Sequence, residues 1–327
     1  MRSFSLAILI ILVLTGCSAQ QPVEQPPKVS APIFDPWCDY AVAGLVDGVS
    51  QKCIDNAAQG DVDAATNMGY LYAKGIVVEL DKKRAMDFYR IAAEKGMPEA
   101  QYSLAEMYRA GVAGKPEPQL ARYWYEQLAN QSHFLEEHKQ PLRYQDEAQF
   151  MLGLMDMEGI GAEQNLTLAL KWLKLSSSNG HSEAPYVLGK IYLEHYHQPE
   201  LALQWYQVGA EREFAPAMHQ LGMMYIDGRA GEVDAVKANS WLERAASLGL
   251  AEAQVDLATS EYNGINGEPD FIKIYIWLDA ASYQGNEMAK QRLKLITPKL
   301  SDQQLAQAKA ISQRCIGSQF QHCKSSQ

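Results

Sequence analysis

The sequence predicts an all-α protein: a right-handed α-solenoid of antiparallel helix pairs, six repeated pairs held between N- and C-terminal capping helices. Three observations predict it. Alanines recur in register at Ala64, Ala100, Ala148, Ala184, Ala217, Ala253 and Ala289, at intervals of 36, 48, 36, 33, 36 and 36 residues. A bulky aromatic follows each starting alanine by 24 residues at Phe88, Trp124, Trp172, Trp241 and Trp277, and by 21 at Trp205 in the shortened fourth unit. Apolar residues inside each unit fall at helical spacing, and a helix pair with one such face must stack on neighbours to bury it.

From the N-terminus, Arg2 precedes twelve apolar-rich residues from Phe4 to Thr15, the length of a signal peptide and too short to span a bilayer. The segment ends Leu14-Thr15-Gly16-Cys17, which resembles the lipobox of bacterial lipoproteins. That resemblance implies cleavage after residue 16 and lipidation of Cys17 with diacylglycerol and further acyl chains such as palmitate, an essentially permanent anchor. Ser18, where an aspartate would retain such a protein at the inner membrane, implies the outer membrane of a Gram-negative bacterium, facing the periplasm. Residues 17–36 hold the lipidated cysteine and a Pro/Gln-rich tether (Gln20, Gln21, Pro22, Gln25, Pro26, Pro27) with too few apolar groups to fold, reaching about 20–25 Å as a coil.

Residues 37–63 read as an N-terminal capping helix pair. The six repeats then occupy 64–99, 100–147, 148–183, 184–216, 217–252 and 253–289, the second carrying an insertion over 132–147. In the first helix of a unit, Ala100, Leu104, Met107-Tyr108 and Gly111 make one stripe; in the second, Ala85, Phe88-Tyr89 and Ala92 do, with Gly96 as the stop. The small residue at the sixth place (Gly69, Ala105, Gly153, Gly189, Gly222, Ala258) lets a neighbouring helix approach, and the tryptophan is expected to fill the gap between units. Residues 290–327 supply C-terminal capping helices and a tail: Thr297-Pro298 stops one helix, and Ser301 with Gln304 makes a capping box for the next.

This alternation, with Met68-Gly69, Tyr72, Gly75, Asp81, Phe88-Tyr89, Ala92-Ala93 and Gly96 in the first unit, resembles the Sel1-like repeats, relatives of tetratricopeptide repeats. The departures are local. Asp156 replaces the tyrosine of the third unit, His195 the loop glycine of the fourth, and Glu213 a helix-terminal glycine.

Cys17 aside, four cysteines remain. In an extended solenoid the chain ends lie tens of Å apart, and disulfide Cα atoms must come within about 7 Å. Of three pairings, only Cys38–Cys53 with Cys315–Cys323 then survives, in an oxidising compartment.

A net charge of −10, becoming −11 once residues 1–16 and their lone Arg2 are removed, lacks the basic face of a nucleic-acid binder, so no nucleic-acid partner is expected. No Walker A, GxSxG, GxGxxG, HExxH or SxxK motif appears. The missing SxxK serine matters because members of the cysteine-rich Sel1 group have been discussed as penicillin-binding. His195 and His197 beside Glu194 lack further ligands at metal spacing, and His133 and His138 with Glu136 look like HxxEH but stand one residue out of register, so their imidazoles would not share a helix face. The expectation is no enzyme, no catalytic residue, no metal and no cofactor.

In Sel1-like solenoids the first helices line the concave face, which makes their outward places a candidate groove. Those places hold Tyr102, then Phe150, Met151, Leu154 and Met157, then Tyr186 and Val187, then His219 and Met223. Solvated helix faces carry Lys, Glu and Gln; a Met- and aromatic-rich one suits an apolar peptide or helix, or else packing between adjacent first helices. The expected function is a protein-binding scaffold or adaptor in the cell envelope, its membrane contact made through the lipid anchor and its envelope protein partner not named by the sequence. A peptidoglycan- or glycan-binding protein is the alternative, using Tyr102 and Tyr186 as platforms, and a β-lactam-related envelope hydrolase comes third.

Overall fold

A computed structural model describes residues 51–131, 143–229, 231–264 and 267–323. Its regular elements among these residues are fifteen α-helices and a 3₁₀ turn at Thr297–Lys299, with no strand, so the chain is an all-α repeat solenoid. No described helix is long and apolar enough to cross a membrane. The residues divide between Arg212 and Glu213 into two compact units.

The N-terminal unit contains α1 (Gln51–Ala58), α2 (Val62–Lys74), α3 (Lys82–Glu94), α4 (Pro98–Ala110), α5 (Pro118–Ala129), α6 (Arg143–Glu158), α7 (Leu166–Ser178), α8 (Ala184–Glu194) and α9 (Pro199–Glu211). The C-terminal unit contains α10 (Ala215–Asp227), α11 (Ala235–Ser247), α12 (Ala251–Tyr262), α13 (Phe271–Tyr283), α14 (Glu287–Ile296) and α15 (Asp302–Gly317). Second helices start where a short acceptor or a proline stands: Asp81 accepts from the N–H groups of Lys83 and Arg84, Asn165 from Leu168, Asp234 from Lys237, and Pro118 and Pro199 open α5 and α9. Ser301 and Gln304 form a reciprocal capping box on α15.

The two helices of a repeat meet at the sixth place. A Cβ on Gly69 would sit 2.7 Å from the Tyr89 ring, and one on Gly153 2.6 Å from Leu173 Cγ. The residue one position after the repeat's bulky aromatic fills this space, fully buried as Tyr125, Leu173 and Tyr206, and Trp124 and Trp172, expected between units, are themselves buried in the core of the first three repeats, at 8% and 7% exposed. A helical step of about 100° separates the two side chains, so neighbours such as Trp172 and Leu173 join different core clusters.

Successive repeats are joined by a ladder of side-chain amides. At the second place of a repeat, Gln101, Gln149 and Gln254 donate through Nε2 to the carbonyls of Ala93, Ala129 and Ala246, in the last turns of α3, α5 and α11. Thirty residues on, Gln131, Asn179 and Gln284 each donate to the Oε1 of that glutamine, at 2.8, 2.9 and 2.9 Å. Arg212, which stands where Asn179 and Gln284 stand in their repeats, reaches Ser177 Oγ and the His181 carbonyl. Each rung satisfies polar groups that stacking takes out of water.

The irregular positions have local accounts. Asp156 keeps the arginine contact that the tyrosines make: Tyr72 and Tyr108 accept from Arg84 and Arg90, and Asp156 Oδ1 lies 2.7 Å from Arg122 Nη1, the side chains 1% and 13% exposed. Glu213 adopts φ 61, the left-handed region that Gly96, Gly180, Gly249 and Gly285 occupy at φ 87 to 102. Of the expected insertion, 132–142 lies outside the described residues and 143–147 opens α6. Cys17, Cys38, His133 and His138 also lie outside them; Cys53 is fully buried in α1. Cys315 and Cys323 are joined by a disulfide, Cα–Cα 4.4 Å, at the end of α15.

Candidate functional site

The outward faces of the first helices differ between neighbours. On α4, Tyr102 is half-buried, its ring centroid 6.3 Å from Tyr125 and 5.6 Å from Tyr144. Below it the Tyr125 hydroxyl donates to Glu106 Oε1, and Glu106 holds Arg109 in a two-pronged pair. Burial, with the nearby Glu147 and Glu106 charges, raises the Tyr102 phenol far above its ordinary value, so it stays neutral.

On α6 and α8 the face is apolar. Met151, Leu154, Met157 and Tyr186 are half-buried, packed on a cluster that includes Leu173, Leu188 and Ile191. Phe150 and Val187 are corrected to core positions: they are 5% and 6% exposed and belong to that cluster. The cause lies at His181. Its ring stacks on Phe150 at 4.2 Å and 19°, its Nδ1 accepts from the Ala184 N–H, and its Nε2 faces Glu147 Oε2 at 3.2 Å. A histidine at the end of the same repeat, fixed on the N-terminus of α8, thus covers Phe150.

In the C-terminal unit, His219 is half-buried with Nε2 2.7 Å from Asp256 Oδ2, a contact between adjacent first helices, and Met223 is half-buried on the same helix. His195, His197 and Glu194 are exposed, and no group of three or more possible metal ligands occurs among the described residues.

Two acids near the N-terminal face escape a reading of motifs. Burial pushes the Glu99 carboxyl in the first turn of α4 up to about 7, and Asp146 in the first turn of α6 up to about 6. The signal available in the sequence was position alone, an acid one or two residues before the starting alanine of a repeat.

These stacked helix pairs define a class, the α-helical repeat proteins that present side chains from their first helices. Within it, this chain belongs to the Sel1 repeat family, whose profile matches residues 62–97, 98–133, 146–181, 186–213, 215–250 and 251–286. Chains of this family are generally protein-interaction scaffolds and typically non-catalytic. A protective antigen of uropathogenic Escherichia coli with the SLR fold superposes with a TM-score of 0.68 at 26% identity, over 85% of this chain and 59% of that one. A Sel1 repeat protein of Oxalobacter formigenes superposes with a TM-score of 0.57 at 29% identity, over 68% of this chain and 86% of that one. An uncharacterised protein of Neisseria meningitidis serogroup B is 31% identical over 52% of this chain and 32% of its own length. The chitin synthase regulatory factor 3 of Schizosaccharomyces pombe is 26% identical over 55% of this chain and 19% of its own. The chain therefore spans a third or less of these two curated relatives.

Proposed function

We propose that this protein is a non-catalytic scaffold that captures a protein partner on the first-helix face of its N-terminal unit while anchored by a lipid on Cys17 at the periplasmic side of an outer membrane. The observation that carries the reading is the run of Met151, Leu154, Met157 and Tyr186, apolar side chains left half-open on adjacent helices where a solvated face would be charged. Flexible thioethers suit a helix or extended peptide that lays apolar anchors into a shallow face. The generally scaffolding role of the family supports the same reading. Anchoring is supported by Leu14-Thr15-Gly16-Cys17 behind its apolar segment, and Cys17→Ser is expected to abolish metabolic labelling with radioactive palmitate.

The test separates face from core. Met151→Ser with Leu154→Ser is expected to lower capture of the partner from envelope extracts at least tenfold with little change in melting temperature. Phe150→Ser should instead cost about 3–5 kcal/mol of stability, as truncated core aromatics do. Undiminished capture by the double variant would contradict the proposal.

A further inference from the structure

The end of the C-terminal unit holds an apolar pocket beside a truncated repeat. In four repeats the ninth place of the first helix is a tyrosine: Tyr72, Tyr108, Tyr192 and Tyr225. Tyr108 lies against the preceding second helix, its hydroxyl accepting from Arg90 Nη2 at 3.2 Å. Helix α14 begins a seventh unit but runs only ten residues, and its ninth place is Thr297, where the chain turns away at Pro298. Beside this short helix a pocket opens between α12, α13 and α14. It is a cavity of about 300 Å³ whose floor is Ile274, Leu278 and Ile296, and whose walls include Tyr262 and Leu295, the latter 70% exposed.

Two cations stand at this apolar cavity. Arg292 is held there by Nη1, which donates to Thr259 Oγ1, leaving its other N–H groups available. Lys299 Nζ lies 5.2 and 5.3 Å from the ring centroids of Tyr262 and Phe271 and 3.4 Å from the Tyr262 hydroxyl. Among the described residues neither has a carboxylate within 4.0 Å, whereas Lys273 and Lys290 nearby are paired with Asp270 and Glu287. In an acidic chain these two positive charges beside apolar surface select an anion that carries an apolar group.

We propose that this pocket binds the C-terminus of a polypeptide ending in a bulky apolar residue, its side chain filling the cavity and its carboxylate meeting Arg292 and Lys299. A volume of about 300 Å³, at the small end of ligand pockets, suits one bulky apolar side chain. A terminal Phe, Tyr, Leu or Met presents both required groups on one residue. Guanidinium and ammonium donors on a carboxylate make charge-assisted hydrogen bonds, the strong kind. The inference is independent of the N-terminal face.

Fluorescence anisotropy on the purified full-length protein tests it, with a labelled hexapeptide ending in Phe as probe. The free acid is expected to bind saturably, its C-terminal amide at least tenfold more weakly, and an Ala-terminated acid likewise. Lys299→Gln, an exposed change that spares the packing, should weaken the free acid about tenfold with an unaltered melting temperature, and adding Arg292→Gln should weaken it further. Equal binding of acid and amide, indifference to Lys299→Gln, octanoate displacing the peptide at the peptide's own affinity, or no binding up to about 1 mM would each overturn the proposal.

Discussion

Glu99 sits in the first turn of α4, where a helix N-terminus ordinarily favours negative charge, yet burial pushes its carboxyl up from 4.5 to about 7. The folded chain therefore holds this proton more tightly than the unfolded chain does. The contribution to stability is fully present below pH 4.5 and is lost as pH rises through about 7. Asp146 adds the same sign between 3.8 and about 6. Glu99→Gln, which keeps the shape and removes the charge, is expected to stabilise the protein by about 1–3 kcal/mol at pH 8 and by little at pH 4. Urea unfolding at the two pH values checks this; an equal effect at both would mean that ionisation is not the cause. At Glu213 the residue scale shows the reverse situation, a side chain in the left-handed region that four sister positions give to glycine, where a Cβ costs about 1 kcal/mol.

Between helices, the decisive device is the amide ladder. Gln254 is fully buried, donates to the Ala246 carbonyl at 3.0 Å, and accepts from Gln284 at 2.9 Å. Gln254→Ala leaves both partners without that bond and is expected to cost about 1–3 kcal/mol, read as a lower urea midpoint, with Gln284→Ala costing less because its end of the rung is only half-buried. Helices were legible in the sequence because apolar spacing repeats in six copies, and Ser301 with Gln304 was legible because a cap is a local signal. The rungs were not. Glutamine is by habit a surface residue, and its partner stands thirty positions away, so burial and pairing emerge only when repeats stack. The outward face was legible to within one residue per helix: Met151, Leu154, Met157 and Tyr186 remain half-open, while Phe150 at the third place of its repeat and Val187 at the fourth place of the next are buried. Which of two adjacent places turns inward depends on what packs over it, for Phe150 the ring of His181 at the far end of the same repeat, and a single helix carries no record of that.

At the scale of the whole molecule, six copies of one unit occupy residues 62–286, and the chemistry of their first-helix faces changes along the chain: polar and tyrosine-rich on α4, methionine-rich on α6, aromatic and aliphatic on α8, histidine and methionine on α10. Repeats that pack alike inside but differ outside fit a scaffold whose specificity is written in those outward places, over a framework that neighbouring units hold in register. The most direct measurement is photo-crosslinking in living cells with a probe amino acid at Met151, followed by mass spectrometry of the adducts, with a matched probe at the exposed Lys171 on α7 as the control. The scaffold account predicts one dominant protein adduct from Met151 and none from Lys171. The same adducts from both positions, or none from Met151 where the protein is abundant, would contradict it.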